Sequence, residues 1–138
     1  GEEAMKISTK GRYGLRAMVD LALYSQNEQV PLASIADRQD ISKSYLEQVF
    51  STLRRAGLVK STKGAQGGYM LTSDPKEITV GMILRALEGD LSVVPMEDET
   101  ITNRIESCIR DNIWNKIDEK VFAFIDDLDK DPAPMYYI

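Results

Sequence analysis

Histidine is absent from all 138 residues, and cysteine occurs once, at Cys108. The first absence removes the commonest general base and the commonest zinc ligand. The second excludes an intrachain disulfide framework and fits a reducing compartment. Long apolar runs are missing too. No stretch approaches the roughly twenty residues that span a bilayer, and the amino-terminal residues lack the charged, apolar and cleavable regions of a secretory signal. The expected setting is cytoplasmic, with no membrane partner. Enzyme chemistry finds no foothold either: there is no nucleophile–His arrangement, no phosphate-cradling loop leading into a helix and no metal constellation. Gly1 to Ala4, ahead of Met5, read as a cloning scar and stand outside the fold argument.

What remains is a chain with 43% hydrophobic residues, enough for one good core and a helical extension. Its net charge of −5 conceals a split. Met5 to Ser73 carries ten Lys and Arg against five Asp and Glu, giving +5, whereas Lys76 to Ile138 carries seven against fourteen, giving −7. A basic half suits phosphates and an acidic half suits solvent or protein, although such a split also arises by chance in soluble domains.

Apolar spacing predicts a first helix over Gly11 to Ser25, with Leu15, Met18, Val19, Ala22 and Leu23 on one face. Pro31 suits the first position of a short second helix ending at Ala36. Ser42 precedes a third helix, Lys43 to Ala56, on which Leu46, Val49, Phe50 and Leu53 repeat at helical spacing; Ser44 with Glu47 offers an alternative capping box. Gly57 fits a left-handed stop. Leu58 to Thr62 and Tyr69 to Leu71 read as two short strands, with Gly64, Gly67 and Gly68 allowing a tight hairpin tip. After Asp74-Pro75, Thr79 caps a helix bearing Val80, Ile83, Leu84 and Leu87 and stopping at Gly89.

These parts form a winged helix-turn-helix over residues 5–89 in a mainly α fold with a two-stranded β wing. Residues 90–102 read as an acidic, proline-containing loop. A long helix over about 103–130 follows, and residues 131–138 form a tail. Ile105, Ile109, Ile113, Ile117, Val121, Phe124 and Leu128 recur every three or four residues along the long helix. That stripe exceeds what a small wing domain needs, and a second copy of the chain is its expected cover; folding back on its own core is the alternative.

A winged helix-turn-helix reads double-stranded DNA by placing the start of its second helix in the major groove. Here the side chains at that start are Ser42, Lys43, Ser44, Tyr45, Glu47 and Gln48. Gln pairs two-fold with adenine, Glu accepts from the cytosine amine, and Ser is permissive. Ser44 serves equally well as a helix cap. Lys10, Arg12, Lys43, Arg54, Arg55 and Lys63 suit phosphate contacts, each alone being equally an ordinary surface charge.

Four blocks, Met5-Lys-Ile-Ser-Thr-Lys-Gly-Arg-Tyr-Gly14, Ile41-Ser-Lys-Ser-Tyr-Leu-Glu-Gln48, Leu53-Arg-Arg-Ala-Gly-Leu-Val59 and Gly64-Ala-Gln-Gly-Gly-Tyr69, resemble the signature of the Rrf2 family of bacterial transcription regulators. Its members include an iron–sulfur regulator, a nitric-oxide sensor and a cysteine-metabolism repressor. The resemblance spans Met5 to Leu128, and Met135-Tyr-Tyr-Ile138 is similar to the tail of the cysteine-repressor type. It implies a homodimeric repressor or dual regulator of iron–sulfur or cysteine and sulfur genes on a palindromic operator. Base contacts would fall on Ser44, Glu47 and Gln48, and a minor-groove wing contact on Lys63; backbone or wing contacts would come from Lys10, Arg12, Ser42, Lys43, Tyr45, Arg54, Arg55, Gly64, Gly67 and Gly68. Ile105, Ile109, Ile113, Ile117, Val121 and Phe124 would carry dimerisation. It also implies a second mode of action, through a complex with a cysteine-biosynthetic enzyme.

The departure lies in the sensor. Cluster-binding relatives carry three cysteines in the 90–102 loop and at the start of the long helix, and Cys108 matches only the last of them. The expectation is therefore no metal and no iron–sulfur cofactor in this chain, with a cluster of the relatives' kind as the alternative. Cys108 itself is expected to be a buried small hydrophobe, or else a redox-sensitive thiol near Arg104 and Arg110. The loop offers Glu97, Asp98 and Glu99, hard ligands for magnesium or calcium if they are anything more than solvated.

Overall fold

Ser8 sets where the first helix begins. Its backbone is extended and its hydroxyl accepts from the Gly11 amide at 3.2 Å, so α1 runs Thr9–Tyr24, two residues earlier than apolar spacing implies. The structure, a computed structural model, describes residues 7–25, 28–62, 67–89, 91–92 and 103–128. Met18 and Ala22 of the expected stripe are buried, but Gly14, Ala17 and Leu21 join them in the seam while Leu15 and Val19 are half-buried and Leu23 is exposed. Glycine causes the difference. A Cβ at Gly14 would lie 2.3 Å from Leu87 Cδ1, and one at Gly11 would lie 2.0 Å from Glu88 Oε1, so the bare backbone on this side lets a later helix approach closely.

Pro31 occupies the cap position, not the first helical one, and α2 is Leu32–Gln39. The helix continues three residues beyond Ala36 because Arg38 and Gln39 find a buried partner on α1, Asp20. Asp40, with φ 54°, takes the left-handed conformation that ends α2. After the Asp40-Ile41-Ser42 turn, Ser42 caps α3, Lys43–Arg55, by accepting from the Tyr45 amide at 3.2 Å. A cap of this kind is worth about 1 kcal/mol. Ser42, not Ser44, is therefore the capping residue. Gly57, at φ 80°, stops the helix as expected. Leu46, Val49, Phe50 and Leu53 are fully buried and join Ala17, Leu21 and Ile35 in one core.

The wing begins at β1, Val59–Thr62, which pairs antiparallel with β2, Gly68–Leu71, in the register Val59↔Leu71 to Thr62↔Gly68. Val30 extends the pairing: its amide and carbonyl exchange 2.9 Å bonds with those of Tyr69. This is why residue 68 is glycine, since a Cβ there would stand 3.0 Å from the Val30 carbonyl. A 3-10 turn, Pro75–Glu77, leads to α4, Val80–Glu88, capped by Thr79 accepting from the Met82 amide at 3.1 Å. Ile83, Leu84 and Leu87 are buried, with Val80 half-buried beside them.

The carboxy-terminal helix starts at Asn103, which accepts from the Ile105 and Glu106 amides. It comprises α5, Arg104–Ile109, a π-helical turn, Arg110–Trp114, and α6, Asn115–Leu128. The wider turn shifts the phase of everything after it. Ile125 is buried, on a helix that packs against α4 and pairs Asp126 with Arg85 at 3.0 Å. Residue 90, residues 93–102 with Glu97, Asp98 and Glu99, and the tail 131–138 lie outside the described residues, as do Lys63 and Gly64.

Candidate nucleic-acid interface

On α3 the apolar residues turn inward and leave a polar stripe outside. Ser44, Glu47, Gln48, Arg54 and Arg55 are exposed and share that outer side at helical spacing, flanked by exposed Lys43. The expected base-contact residues thus stand together on the first two turns. Arg54 lies about 9 Å beyond Gln48 and about 15 Å beyond Ser44 along the axis, at a rise of about 1.5 Å per residue, with Arg55 next to it. Arg54 donates from Nη1 to Ser61 Oγ at 3.3 Å, joining the end of α3 to the wing, while Arg55 donates to Thr52 Oγ1 at 3.4 Å.

Two expected contact residues have other duties. Tyr45 is half-buried, its ring edge-on to Tyr13 with centroids 6.0 Å apart, so its aromatic face belongs to packing. Ser42 is exposed, but its oxygen is engaged as the cap. Lys10 and Arg12 sit in the first turn of α1; Lys10 is half-buried and Arg12 is exposed, donating to Thr9 Oγ1 at 3.2 Å. Gly67, at φ 62°, and Gly68 are half-buried at the wing. Lys60, exposed on β1, is a cation that sequence reasoning passed over, because nothing but its charge distinguishes it.

The amino-terminal end of α1 is tied to the end of α4. Glu88 Oε1 accepts from the Ser8 amide at 2.9 Å and its hydroxyl at 2.8 Å, directly over Gly11. A second polar group lies on the other flank of the helix-turn-helix. Asp20 is 2% exposed and accepts from Arg38 Nε at 2.9 Å, Arg38 Nη2 at 2.7 Å and Gln39 Nε2 at 3.0 Å. Its hydrogen bonds raise the Arg38 guanidinium above its already high ordinary value, despite an opposing effect of burial, so Arg38 stays charged. The Arg38 guanidinium lies 3.8 Å over the Tyr24 ring, and Arg16 donates to the side chain and backbone carbonyl of Gln39.

Cys108 overturns the expectation of burial. It is exposed on α5, because the unpaired side of that helix faces solvent in a single chain, and Asn112 Nδ2 donates to its carbonyl at 2.8 Å. The expected dimerisation stripe is uncovered in the same way. Ile105, Ile113 and Phe124 are exposed, and Ile109, Ile117 and Val121 are half-buried. Among the described residues, no group of three His, Cys, Asp or Glu side chains converges to hold a metal, and no helix is long and apolar enough to cross a membrane.

The family model described as Rrf2, iron-dependent transcriptional regulator, matches residues 7–129. An HTH-type transcriptional regulator IscR from Aliivibrio salmonicida is 42% identical over 122 residues, which cover 88% of this chain and 73% of that protein. Among solved structures, CymR, the global cysteine regulator of B. subtilis, is similar with a TM-score of 0.67 and 45% identity, over 88% of this chain and 89% of that one. T. potens IscR gives a TM-score of 0.67 at 41% identity, over 93% and 85%. Helix-turn-helix, wing and long terminal helix stand in this chain with those sequences behind them, and the chain belongs to the Rrf2 family of transcriptional regulators, a family without enzymatic activity.

Proposed function

We propose that this protein is a homodimeric repressor that binds a palindromic operator and controls genes of cysteine and sulfur or iron–sulfur metabolism. The observation that carries the reading is the outer side of α3, where Ser44, Glu47 and Gln48 are exposed while Leu46, Val49, Phe50 and Leu53 hold the helix to the core. Base-reading side chains on a fixed helix are what discrimination requires. Arg54, Arg55 and Lys60 flank that side and suit phosphates, which orient the protein without reading sequence. The uncovered apolar face of α5 and α6 supports a two-fold dimer that sets two α3 helices on successive major-groove faces, about 34 Å apart.

The donor set does not fit the cluster that the family's sensors hold. Cysteine-ligated clusters take mostly thiolate ligands, whereas this sequence supplies one cysteine and no histidine, and Cys108 stands exposed on a helix with no converging metal donors among the described residues. The likeness to a global cysteine regulator favours sulfur metabolism as the controlled theme. Selection of binding duplexes from a random-sequence library tests the reading. Enrichment of an inverted repeat bound by two chains is expected; no enrichment, or one chain per site, refutes it.

A further inference from the structure

Asp20 is the least exposed charged residue described, yet it lies on α1, away from the base-reading side chains. A buried carboxylate is costly unless fully hydrogen-bonded, and here three donors meet it, all from the last two residues of α2. Those residues directly precede Asp40-Ile41-Ser42, the turn that fixes how α3 leaves α2. Asp40 is also the one non-glycine residue at positive φ among those described, so the turn is conformationally demanding. Arg16, one helical turn before Asp20, holds the Gln39 carbonyl at the same place. Its guanidinium lies 5.3 Å over Tyr13, whose ring meets Tyr45 in the first turn of α3. Asp20, Arg38, Gln39, Arg16, Tyr13 and Tyr45 thus form a continuous path from α1 around the turn to the start of the recognition helix.

We infer that Asp20 and Arg38 are positioning residues for DNA readout: their forked ion pair fixes the helix-turn-helix turn and thereby the aim of Ser44, Glu47 and Gln48. Neither residue need touch DNA. The hydrophobic core already holds α3 against the domain, but apolar contacts are non-directional and tolerate small rotations. A bidentate guanidinium–carboxylate pair is directional and removes that freedom. Base discrimination depends on such aim, whereas phosphate attraction does not. The inference rests on the DNA-reading function proposed above.

The test uses two variants of the full chain. Asp20→Asn keeps the volume and loses the charge; Arg38→Lys keeps the charge and loses the fork. Binding is measured on the duplex that the unsubstituted protein enriches from a random library and on a shuffled duplex of equal composition, across a salt series. Both variants are expected to lower the ratio of the two affinities about tenfold, with affinity for the shuffled duplex and the salt slope unchanged. A folded variant pair that keeps the ratio, or loses both affinities by one factor, overturns the inference and leaves a stabilising ion pair. If Asp20→Asn does not fold, Arg38→Lys decides alone, because Arg38 is about one-third exposed and its lysine replacement leaves no buried charge unpaired. Failure of the unsubstituted protein to enrich any duplex would strike the DNA-reading function itself, which separates the two outcomes.

Discussion

Phe124 and Ile125 are neighbours in sequence and opposites in environment, and replacing each by alanine should separate dimerisation from folding. Phe124 is 63% exposed in the single chain, while Ile125 is 6% exposed against the wing domain. Full burial of a phenylalanine side chain is worth about 3 kcal/mol, so covering the exposed part in a dimer contributes about 2 kcal/mol per protomer. A two-fold interface counts each substitution twice, giving about 4 kcal/mol, or close to a thousandfold in the dimer dissociation constant. Incomplete cover lowers this, and a loss of about 100- to 1000-fold is expected for Phe124→Ala, with little change in the thermal midpoint of the wing domain. Ile125→Ala should instead destabilise the fold by about 2 to 5 kcal/mol. Sedimentation equilibrium from nanomolar to micromolar concentration, paired with thermal unfolding, reads both effects. A Phe124→Ala dissociation constant within threefold of the unsubstituted value would refute the use of this face for dimerisation.

The outer side of α3 should show the division between reading and anchoring: Gln48→Ala or Glu47→Ala changes the sequence preferred in a selection experiment by about 1 to 3 kcal/mol per contacted base pair. Lys43→Ala or Arg54→Ala should weaken binding evenly across sequences and reduce the salt slope by about one, measured by fluorescence anisotropy. Gly14→Val should destabilise the domain by about 1 to 3 kcal/mol in denaturant unfolding, because its Cβ would already lie 2.3 Å from Leu87 Cδ1 and 3.3 Å from Val49 Cγ1. DNA binding should be unaffected by iron chelators, and anaerobic reconstitution with iron and sulfide should give no visible cluster absorbance that Cys108→Ala abolishes.

The elements that chain chemistry specifies locally are legible in the sequence. Thr79 and Ser42 cap where the sequence places them, Gly57 stops α3, and Leu46, Val49, Phe50 and Leu53 fill the core as their spacing implies. Each depends on neighbours within a turn, which sequence displays directly. The early start of α1 at Ser8 and the cap position of Pro31 are local geometry that apolar spacing does not show, and the other misplacements involve a distant partner. Phasing the first helix on its large apolar residues leaves out Gly14, which joins the buried seam because Leu87, some seventy positions away, packs against the bare backbone. The second helix runs three residues past its expected end at Ala36, and nothing near Arg38 and Gln39 in sequence reveals that Asp20 awaits them. Cysteine is usually a core residue, yet Cys108 lies exposed on a helix whose outer face no part of the described chain covers.

The candidate site divides along the same line. The proposed base-reading residues are recognisable because that role demands two local properties, exposure at the start of a helix and donor or acceptor chemistry, and Ser44, Glu47 and Gln48 show both. The residues that aim the helix have no such signature: Asp20 sits among Met18, Leu21 and Ala22 on a buried helix face, and only its three hydrogen bonds to α2 distinguish it from a charge in the wrong place. A buried carboxylate tolerated at that position is therefore informative only once its donors are known. They come from the two residues before the Asp40 turn, and that location, not the strength of the pair, connects it to recognition. An ion pair elsewhere between α1 and α2 could stabilise the domain equally well and leave the recognition helix free to rock.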